Sequence, residues 1–205
     1  MTISIYQLKP RFQQLLRPLL EGLSRLGVTP NQVTVGAMLL SLAYGGALAL
    51  HPASAALWIG VPAFMLLRMA LNAIDGMLAG ATGQTSHLGA LLNELCDQVS
   101  DAALYLPFAL APGISAPLAV GVAVMALLAE FAGVLALSVG IARRFDGPMG
   151  KSDRAFAFSV LAIMLWSGAA PAWLNGVLGL ILLLSLWTVF NRLRQALRSC
   201  APPTR

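Results

Sequence analysis

The chain has 205 residues, of which 58% are apolar and only 10% are charged, whereas a soluble domain carries roughly 25% charged residues. This composition excludes a soluble globular domain, and the two cysteines exclude a disulfide framework, so we predict a single-domain integral membrane protein. The net charge of +5 comes from basic residues clustered near the two termini and around 143–154, without interleaved aromatic residues, which indicates membrane topology rather than nucleic-acid binding.

The first segment, residues 4–26, places apolar and basic residues at helical spacing. Such a pattern is typical of an amphipathic helix that lies on an anionic membrane surface. Pro10 and Pro18 interrupt the segment, so we expect two short helical pieces or a kink. Residues 1–30 are therefore predicted to form a juxtamembrane surface helix.

Six apolar segments follow, each close to the ~20 residues that a bilayer-spanning helix needs. They cover residues 32–50, 54–80, 86–111, 114–142, 152–170 and 172–195. Asn31 is the expected N-cap of the first one. The predicted fold is all-α: one domain over residues 1–205, with a six-helix transmembrane bundle over 32–195 and a basic tail over 196–205.

Basic residues are also unevenly distributed among the connections. The loops near 51–53, 112–117 and 168–172 contain no Lys or Arg. Because cationic residues are enriched on the cytoplasmic side, we expect both termini in the cytoplasm, in a bacterial inner membrane. The uncharged loop at 80–86 is then cytoplasmic as well.

Polar residues converge on that loop from two apolar segments. Asn72 and Asp75 precede it, and four residues after it fall on one helical arc of about 100°: Asn93, Glu94, Asp97 and Asp101. Carboxylates within a membrane are costly and indicate a functional site. Four of them together need either protons or cations, and oxygen ligands suit Mg²⁺, Mn²⁺ or Ca²⁺.

Four polar residues have structural interpretations. Arg68 and Glu130 both lie inside apolar segments, so we expect them to form an ion pair between two helices. Asp101 has the alternative of a hydrogen bond to Ser100 or to a neighbouring helix. His87 is expected to be a helix cap or an interfacial residue.

The polar segment resembles the signature of the CDP-alcohol phosphatidyltransferase family, D-x2-D-G-x2-A-R-x8-G-x3-D-x3-D. All spacings fit, and five positions match in identity: Asp75, Gly76, Ala79, Gly89 and Asp97. Asn72 and Asn93 replace signature aspartates, and Gly80 replaces the signature arginine. The segments 29–34 and 150–154 resemble further elements of the family, so the resemblance covers essentially the whole chain.

The resemblance implies a membrane transferase of phospholipid biosynthesis that moves a phosphatidyl group from a CDP-linked lipid to an alcohol and releases CMP. It implies two Mg²⁺ or Mn²⁺ ions, a homodimer, and Asp97 as the catalytic base. Predicted metal ligands are Asn72, Asp75, Asn93, Asp97, Glu94 and Asp101, the last two compensating for the asparagines. Predicted nucleotide-binding residues are Asn31, Gly76, Ala79 and Gly89. Lys151 and Arg154 are predicted to bind a phosphate of the acceptor or donor, and the basic 143–154 segment favours a phosphorylated acceptor.

Two other functions remain open at this point. The replacements at Asn72, Gly80 and Asn93 would fit a catalytically impaired relative with a lipid-binding or partner role. Intramembrane carboxylates also line ion pathways, so a small transporter or channel is the third alternative.

Overall fold

The structure, a computed structural model, describes residues 8–200, which form helices and their connections without a β-strand. Seven α-helices follow one another within this range. They are α1 (Leu8–Arg25), α2 (Pro30–Leu50), α3 (Ala55–Thr82), α4 (His87–Tyr105), α5 (Ala116–Leu135), α6 (Lys151–Trp166) and α7 (Pro171–Cys200). Short connections between successive helices produce a bundle in which chain direction alternates from α2 to α7.

The amphipathic helix α1 is continuous from Leu8 to Arg25 and contains Pro18 in its interior. The expected break into two pieces is therefore wrong, while residues 4–7 of the predicted segment lie outside the described residues. Leucines on one side of α1 pack against Ile74 and Leu78 of α3. Leu15, on another side of α1, is exposed, as expected of a helix with one docked face.

The cap of α2 corrects the prediction for Asn31. The N-cap is Thr29, whose hydroxyl accepts a hydrogen bond from the Gln32 N–H at 3.3 Å, while the Gln32 side chain accepts one from the Thr29 N–H at 2.9 Å. This reciprocal capping box satisfies two otherwise unpaired donors, and Pro30 needs none. Asn31 is left free to face the neighbouring helix.

Three predicted helices end earlier than expected; α6 stops at Trp166, and the other two end in 3₁₀ turns. α4 stops at Tyr105 and continues as a 3₁₀ turn over Leu106–Leu110, where Pro107 has no N–H for an α-helical bond. α5 stops at Leu135, followed by a 3₁₀ turn over Ala136–Val139 and by Gly140 at φ 75°. The left-handed backbone conformation favours glycine, and a residue that adopts it ends the helix.

Four stretches within residues 8–200 are long and apolar enough to cross a bilayer by length and composition. They are Pro30–Leu50, Ala55–Thr82, Ala116–Val139 and Pro171–Cys200. α4 carries three carboxylates, and α6 is only 16 residues long. The predicted all-helical membrane protein is therefore confirmed, whereas the predicted number of six spanning helices is not.

Close packing between α2 and α4 fixes the interior of the bundle. A Cβ atom added at Gly45 would lie 2.0 Å from the carbonyl oxygen of Ala103, so the two backbones touch. Further along α4, Tyr105 stacks on Phe158 of α6 with ring centroids 4.0 Å apart. These contacts hold α2, α4 and α6 together in the apolar part of the bundle.

The two ends of the bundle differ in polarity. At one end, the connections at 51–54, 111–115 and 167–170 enclose an apolar cavity of about 210 Å³ beside Trp58. The opposite end, called here the polar end, gathers the connections at 26–29, 83–86 and 140–150. Nearly all of the ion pairs described below lie at or near the polar end.

Candidate active site

The turn between α3 and α4 brings the two halves of the polar segment together. Gly83 ends α3 at φ 67°, and the Ser86 hydroxyl caps α4 by accepting a hydrogen bond from the Gly89 N–H at 3.0 Å. The cap is therefore Ser86, and His87 is the first helical residue, which corrects the expected capping role of His87. The hairpin places Asn72 of α3 opposite Asp97 of α4.

A cavity of about 210 Å³ opens beside this hairpin; it is called the donor cavity below. All four residues predicted to bind a nucleotide line the donor cavity, but their role stays a prediction. The lining residues are Pro30, Asn31, Thr34, Asp75, Gly76, Ala79, Gln84, Thr85, Ser86, Gly89, Ala90 and Asn93. They include one carboxylate and no Lys or Arg.

Glycines shape two walls of the donor cavity. A Cβ atom at Gly76, which lines the cavity, would meet nothing within 4 Å, so α3 presents bare backbone there. The same space surrounds Gly80, which follows the lining residue Ala79. A Cβ atom at Gly89 would lie 2.9 Å from Asn31 Oδ1. Glycine at this position therefore allows the start of α2 to approach the start of α4 closely.

Asp75 is buried, with 4% of its surface exposed. The Thr34 hydroxyl donates a hydrogen bond to Asp75 Oδ2 at 2.8 Å, and the Gly76 N–H donates to Oδ1 at 2.6 Å. These donors fix the orientation of the carboxylate at the wall of the cavity. Sequence reasoning did not single out Thr34 as a partner, although Thr34 belongs to the family-like segment 29–34 at the start of α2.

Asp97, on α4, lies between α3 and α6. The Asn72 amide donates to Asp97 Oδ1 at 2.9 Å, and the Lys151 ammonium group at the start of α6 contacts Oδ2. Arg68 Nη2 donates to the backbone carbonyl of Asp97 at 3.0 Å. The Asp97 side chain is 20% exposed, so it is held in place and remains accessible.

The remaining charges of this region form a connected set, called here the arginine network. Its members are Arg68, Arg143, Arg154, Arg192, Glu94, Asp101 and Glu130. They come from α3 to α7 and from the connection at 140–150. The network therefore ties five helices together through ion pairs.

The expected pair between Arg68 and Glu130 is wrong. Arg68 instead contacts Asp101 at 2.7 Å, because Asp101 lies one helical turn beyond Asp97 on the side of α4 that faces α3. Glu130 contacts Arg154 at 2.8 Å and Arg192 at 3.3 Å. Both expected partners are in ion pairs, but with residues that are distant in sequence.

The predicted four-carboxylate cluster is divided in the structure. Glu94 contacts Arg143, and Asp101 contacts Arg68 and Arg154. Within residues 8–200, three or more His, Cys, Asp or Glu side chains do not come together in a group that could hold a metal. Replacement of the missing ligands by Glu94 and Asp101 stays a prediction, and it would require both carboxylates to leave their arginine partners.

A smaller set of oxygen donors remains beside the donor cavity. It comprises the carboxylates of Asp75 and Asp97 and the amide oxygens of Asn72 and Asn93. Hard oxygen donors of this kind fit Mg²⁺ or Mn²⁺. With two carboxylates, the set suits one divalent ion better than two.

The two predicted phosphate ligands differ in access. Arg154 has no exposed side-chain surface and bonds to Asp101, Glu130 and the Met149 carbonyl. It is therefore a buried partner of carboxylates. Lys151 is 30% exposed and reaches Asp97, so only Lys151 could touch a substrate without rearrangement.

Comparison with solved structures identifies the fold. Over 94% of this chain and 99% of the other, it superposes with a TM-score of 0.77 and 20% identity on a crystal structure of Mycobacterium tuberculosis phosphatidylinositol phosphate synthase with CDP-DAG bound. A second crystal structure of that protein, in complex with manganese and citrate, matches with a TM-score of 0.75 and 19% identity over 92% of each chain. At these identities the likeness establishes the fold alone.

Sequence comparison extends the result. The chain is 42% identical over 200 residues to the Escherichia coli inner membrane protein YnbA, covering 95% of this chain and 97% of the relative. It is 29% identical to a Corynebacterium glutamicum phosphatidylinositol phosphate synthase, covering 91% and 86% of the two chains. The family model for CDP-alcohol phosphatidyltransferases matches residues 27–190. The chain belongs to the CDP-alcohol phosphatidyltransferase family.

Proposed function

We propose that the protein transfers a substituted phosphate group, such as phosphatidyl, from a CDP-linked lipid to an alcohol and releases CMP. One observation carries this proposal: oxygen donors and bare glycine backbone line the same cavity, next to the accessible carboxylate of Asp97. The flat glycine surface of α3 suits a nucleotide, and the oxygen donors suit the ion that a diphosphate needs. CDP-DAG and manganese in the related solved structures support the same assignment.

A divalent ion is needed on electrostatic grounds as well. The donor cavity has no Lys or Arg in its lining, whereas a diphosphate brings at least two negative charges. Protein donors alone would leave that charge poorly compensated. When bound by Asp75 and Asp97, Mg²⁺ or Mn²⁺ would neutralise the diphosphate and stabilise charge on the leaving group.

Asp97 is the proposed base. The acceptor hydroxyl oxygen attacks the phosphorus that carries the lipid, the bond from that phosphorus to the bridging oxygen breaks, and CMP leaves with the electron pair. The hydroxyl proton passes to the Asp97 carboxylate. Asn72, Lys151 and Arg68 hold Asp97 in position, which is the positioning that a general base requires.

The membrane arrangement belongs to the same proposal. We place α2 to α7 across the bilayer as one domain, with α1 on the surface, both termini in the cytoplasm and the polar end at the cytoplasmic face. Arg143 and Arg144 on the 140–150 connection, together with the basic residues near both ends of the chain, support that orientation. The homodimer remains a prediction, which light scattering of the detergent-purified protein would check.

One experiment distinguishes an active transferase from a catalytically impaired relative. Protein purified in dodecyl maltoside is incubated with CDP-diacylglycerol, Mn²⁺ and a panel of alcohols, and CMP release is measured. We expect release that requires an acceptor and stops when EDTA removes the metal. A folded protein that releases no CMP with any acceptor would support a non-catalytic role. Family membership argues against the transporter alternative, which proteoliposome flux without CDP-lipid would test.

A further inference from the structure

We propose that the acceptor is an alcohol without a phosphate group, because Glu130 fills the anion site that three arginines form. This inference rests on the proposed transfer reaction and names the class of its second substrate. It reverses the expectation of a phosphorylated acceptor that the basic 143–154 segment favoured. In the folded chain, the basic residues of that segment pair with carboxylates of the protein itself.

Three guanidinium groups converge on one carboxylate. Arg143 reaches Glu130 Oε2 at 2.9 Å, while Arg154 and Arg192 reach Oε1 at 2.8 and 3.3 Å. They come from the 140–150 connection, from α6 and from α7, and Glu130 comes from α5. Like charges this close require an anion among them, and guanidinium forks of this kind bind either carboxylate or phosphate. Here the chain supplies its own anion.

The site is largely buried as well as filled. Arg154 has no exposed side-chain surface, Arg192 has 2% and Glu130 has 5%, whereas Arg143 on the outer side has 26%. Backbone carbonyls take further guanidinium donors, since Arg154 Nη1 bonds to Met149 O at 3.0 Å and Arg192 Nε bonds to Asp146 O at 3.3 Å. A phosphate could enter only by displacing Glu130 from a buried position.

The other basic residues between positions 68 and 154 are also paired. Arg68 pairs with Asp101, Arg144 with Asp146, and Lys151 with Asp97. Every Lys and Arg in that stretch of the chain therefore contacts a carboxylate. A phosphomonoester carries about −1.5 to −2 charge near neutral pH. Such an acceptor would meet no unpaired cation from this stretch, whereas an uncharged alcohol needs none.

The first experiment compares matched acceptors on the wild-type protein. Glycerol is paired with glycerol 3-phosphate, and inositol with inositol phosphate, and CMP release from CDP-diacylglycerol is measured. We expect the unphosphorylated member of a reactive pair to be used at least about tenfold better. Preference for a phosphorylated member would overturn the inference. Absence of CMP release with every acceptor would contradict the proposed function, and the inference would then be decided by the binding experiment.

The second experiment measures binding of inorganic phosphate by calorimetry, in a detergent without phosphate groups. Glu130→Gln removes the internal anion and should bind phosphate at least about tenfold more tightly than the wild type. Asp146→Asn is the matched control, because it makes the same change of charge in the adjoining connection and should create no phosphate site.

Two binding results would overturn the inference. One is tight phosphate binding by the wild type, which would mean that Glu130 does not block the site. The other is folded Glu130→Gln protein without a gain over Asp146→Asn, with folding checked by thermal unfolding. If Glu130→Gln does not fold, the phosphate titration of the wild type and the comparison of acceptor pairs still test the inference.

Discussion

The donor cavity and the arginine network lie side by side near the polar end, and they satisfy their polar groups in opposite ways. The donor cavity is open and carries one carboxylate, Asp75, held by a hydroxyl and a backbone N–H. The arginine network is closed and neutralises its carboxylates with guanidinium groups. An open site without cations is suited to receive a charged ligand with its metal, whereas a closed and paired site is suited to hold helices together.

Asp97 lies where the two regions meet. Its carboxylate is reached from the side of the donor cavity by Asn72 and from the side of the network by Lys151. Variants on either side of Asp97 should therefore separate loss of activity from loss of stability. The following changes test that separation.

The largest effect is expected from Asp97→Ala. Removing the proposed base should lower the rate of CMP release by about 10²–10⁴-fold while the protein stays folded. Glu21→Ala, on the exposed part of α1, is the control and should leave the rate unchanged. Activity within a few-fold of the wild type would assign the base to another residue.

A stability effect is expected in the network. Arg154→Met leaves Asp101 and Glu130 without their buried partner and should destabilise the fold by about 3–5 kcal/mol, measured by thermal unfolding in detergent. Arg144→Met removes an ion pair whose side chains are 25% and 33% exposed and should cost less than ~1 kcal/mol. Equal effects would mean that burial does not distinguish the two pairs.

An intermediate effect is expected from Asn72→Asp. The change places a second carboxylate beside Asp97, where the amide now donates at 2.9 Å, and should lower the half-saturating Mn²⁺ concentration by about tenfold. Asn72→Leu, which removes the amide oxygen and adds no charge, should raise it. The titration follows CMP release, with Mn²⁺ binding by electron paramagnetic resonance as a second readout. An unchanged Mn²⁺ requirement in both variants would remove Asn72 from the metal site.

The smallest effect is expected from Gly80→Arg. There is room for a side chain, because a Cβ atom at this position meets nothing within 4 Å. A cation beside the donor cavity should lower KM for CDP-diacylglycerol by about three- to tenfold, which corresponds to an ordinary net hydrogen bond of about 0.5–1.5 kcal/mol. Gly80→Ala is the control: it adds no charge, but replacing glycine within a helix gives the same gain of roughly 1 kcal/mol in helix stability. A KM that falls equally with alanine would argue against a charge effect.

Local chemistry explains which parts of the fold could be predicted from the sequence. Apolar length and the spacing of Pro and Gly predict the helices, and the signature spacing predicts that Asn72 and Asp97 lie opposite each other. The helix ends at Tyr105 and Leu135 were placed too late, because 3₁₀ continuations have the same apolar composition as the helices before them. Thr29 was missed as the cap, although Thr29 and Gln32 form the Thr-x-x-Gln pattern by which a capping box can be recognised in a sequence.

Pairing between residues that are distant in sequence explains which contacts of the site could not be predicted. Arg68 and Glu130 were recognised as buried charges, but the choice among partners depends on which side of each helix faces which neighbour. Glu94 and Asp101 share the helical arc of Asp97, and that periodicity alone suggests a common role. The structure separates them, since guanidinium groups from α3, α6 and the 140–150 connection reach these two carboxylates. None of these contacts has a signal in local sequence.

The turn that joins α3 to α4 gives the spacing of the signature a mechanical meaning. The eight residues between Gly80 and Gly89 contain the end of α3, the left-handed Gly83 and the Ser86 cap. Because a helix advances ~100° per residue, one inserted residue in the first turn of α4 would rotate Asn93 and Asp97 away from α3. The length of this interval therefore sets the angle between the two halves of the proposed site, so an insertion there should disrupt the site even with every acidic residue in place.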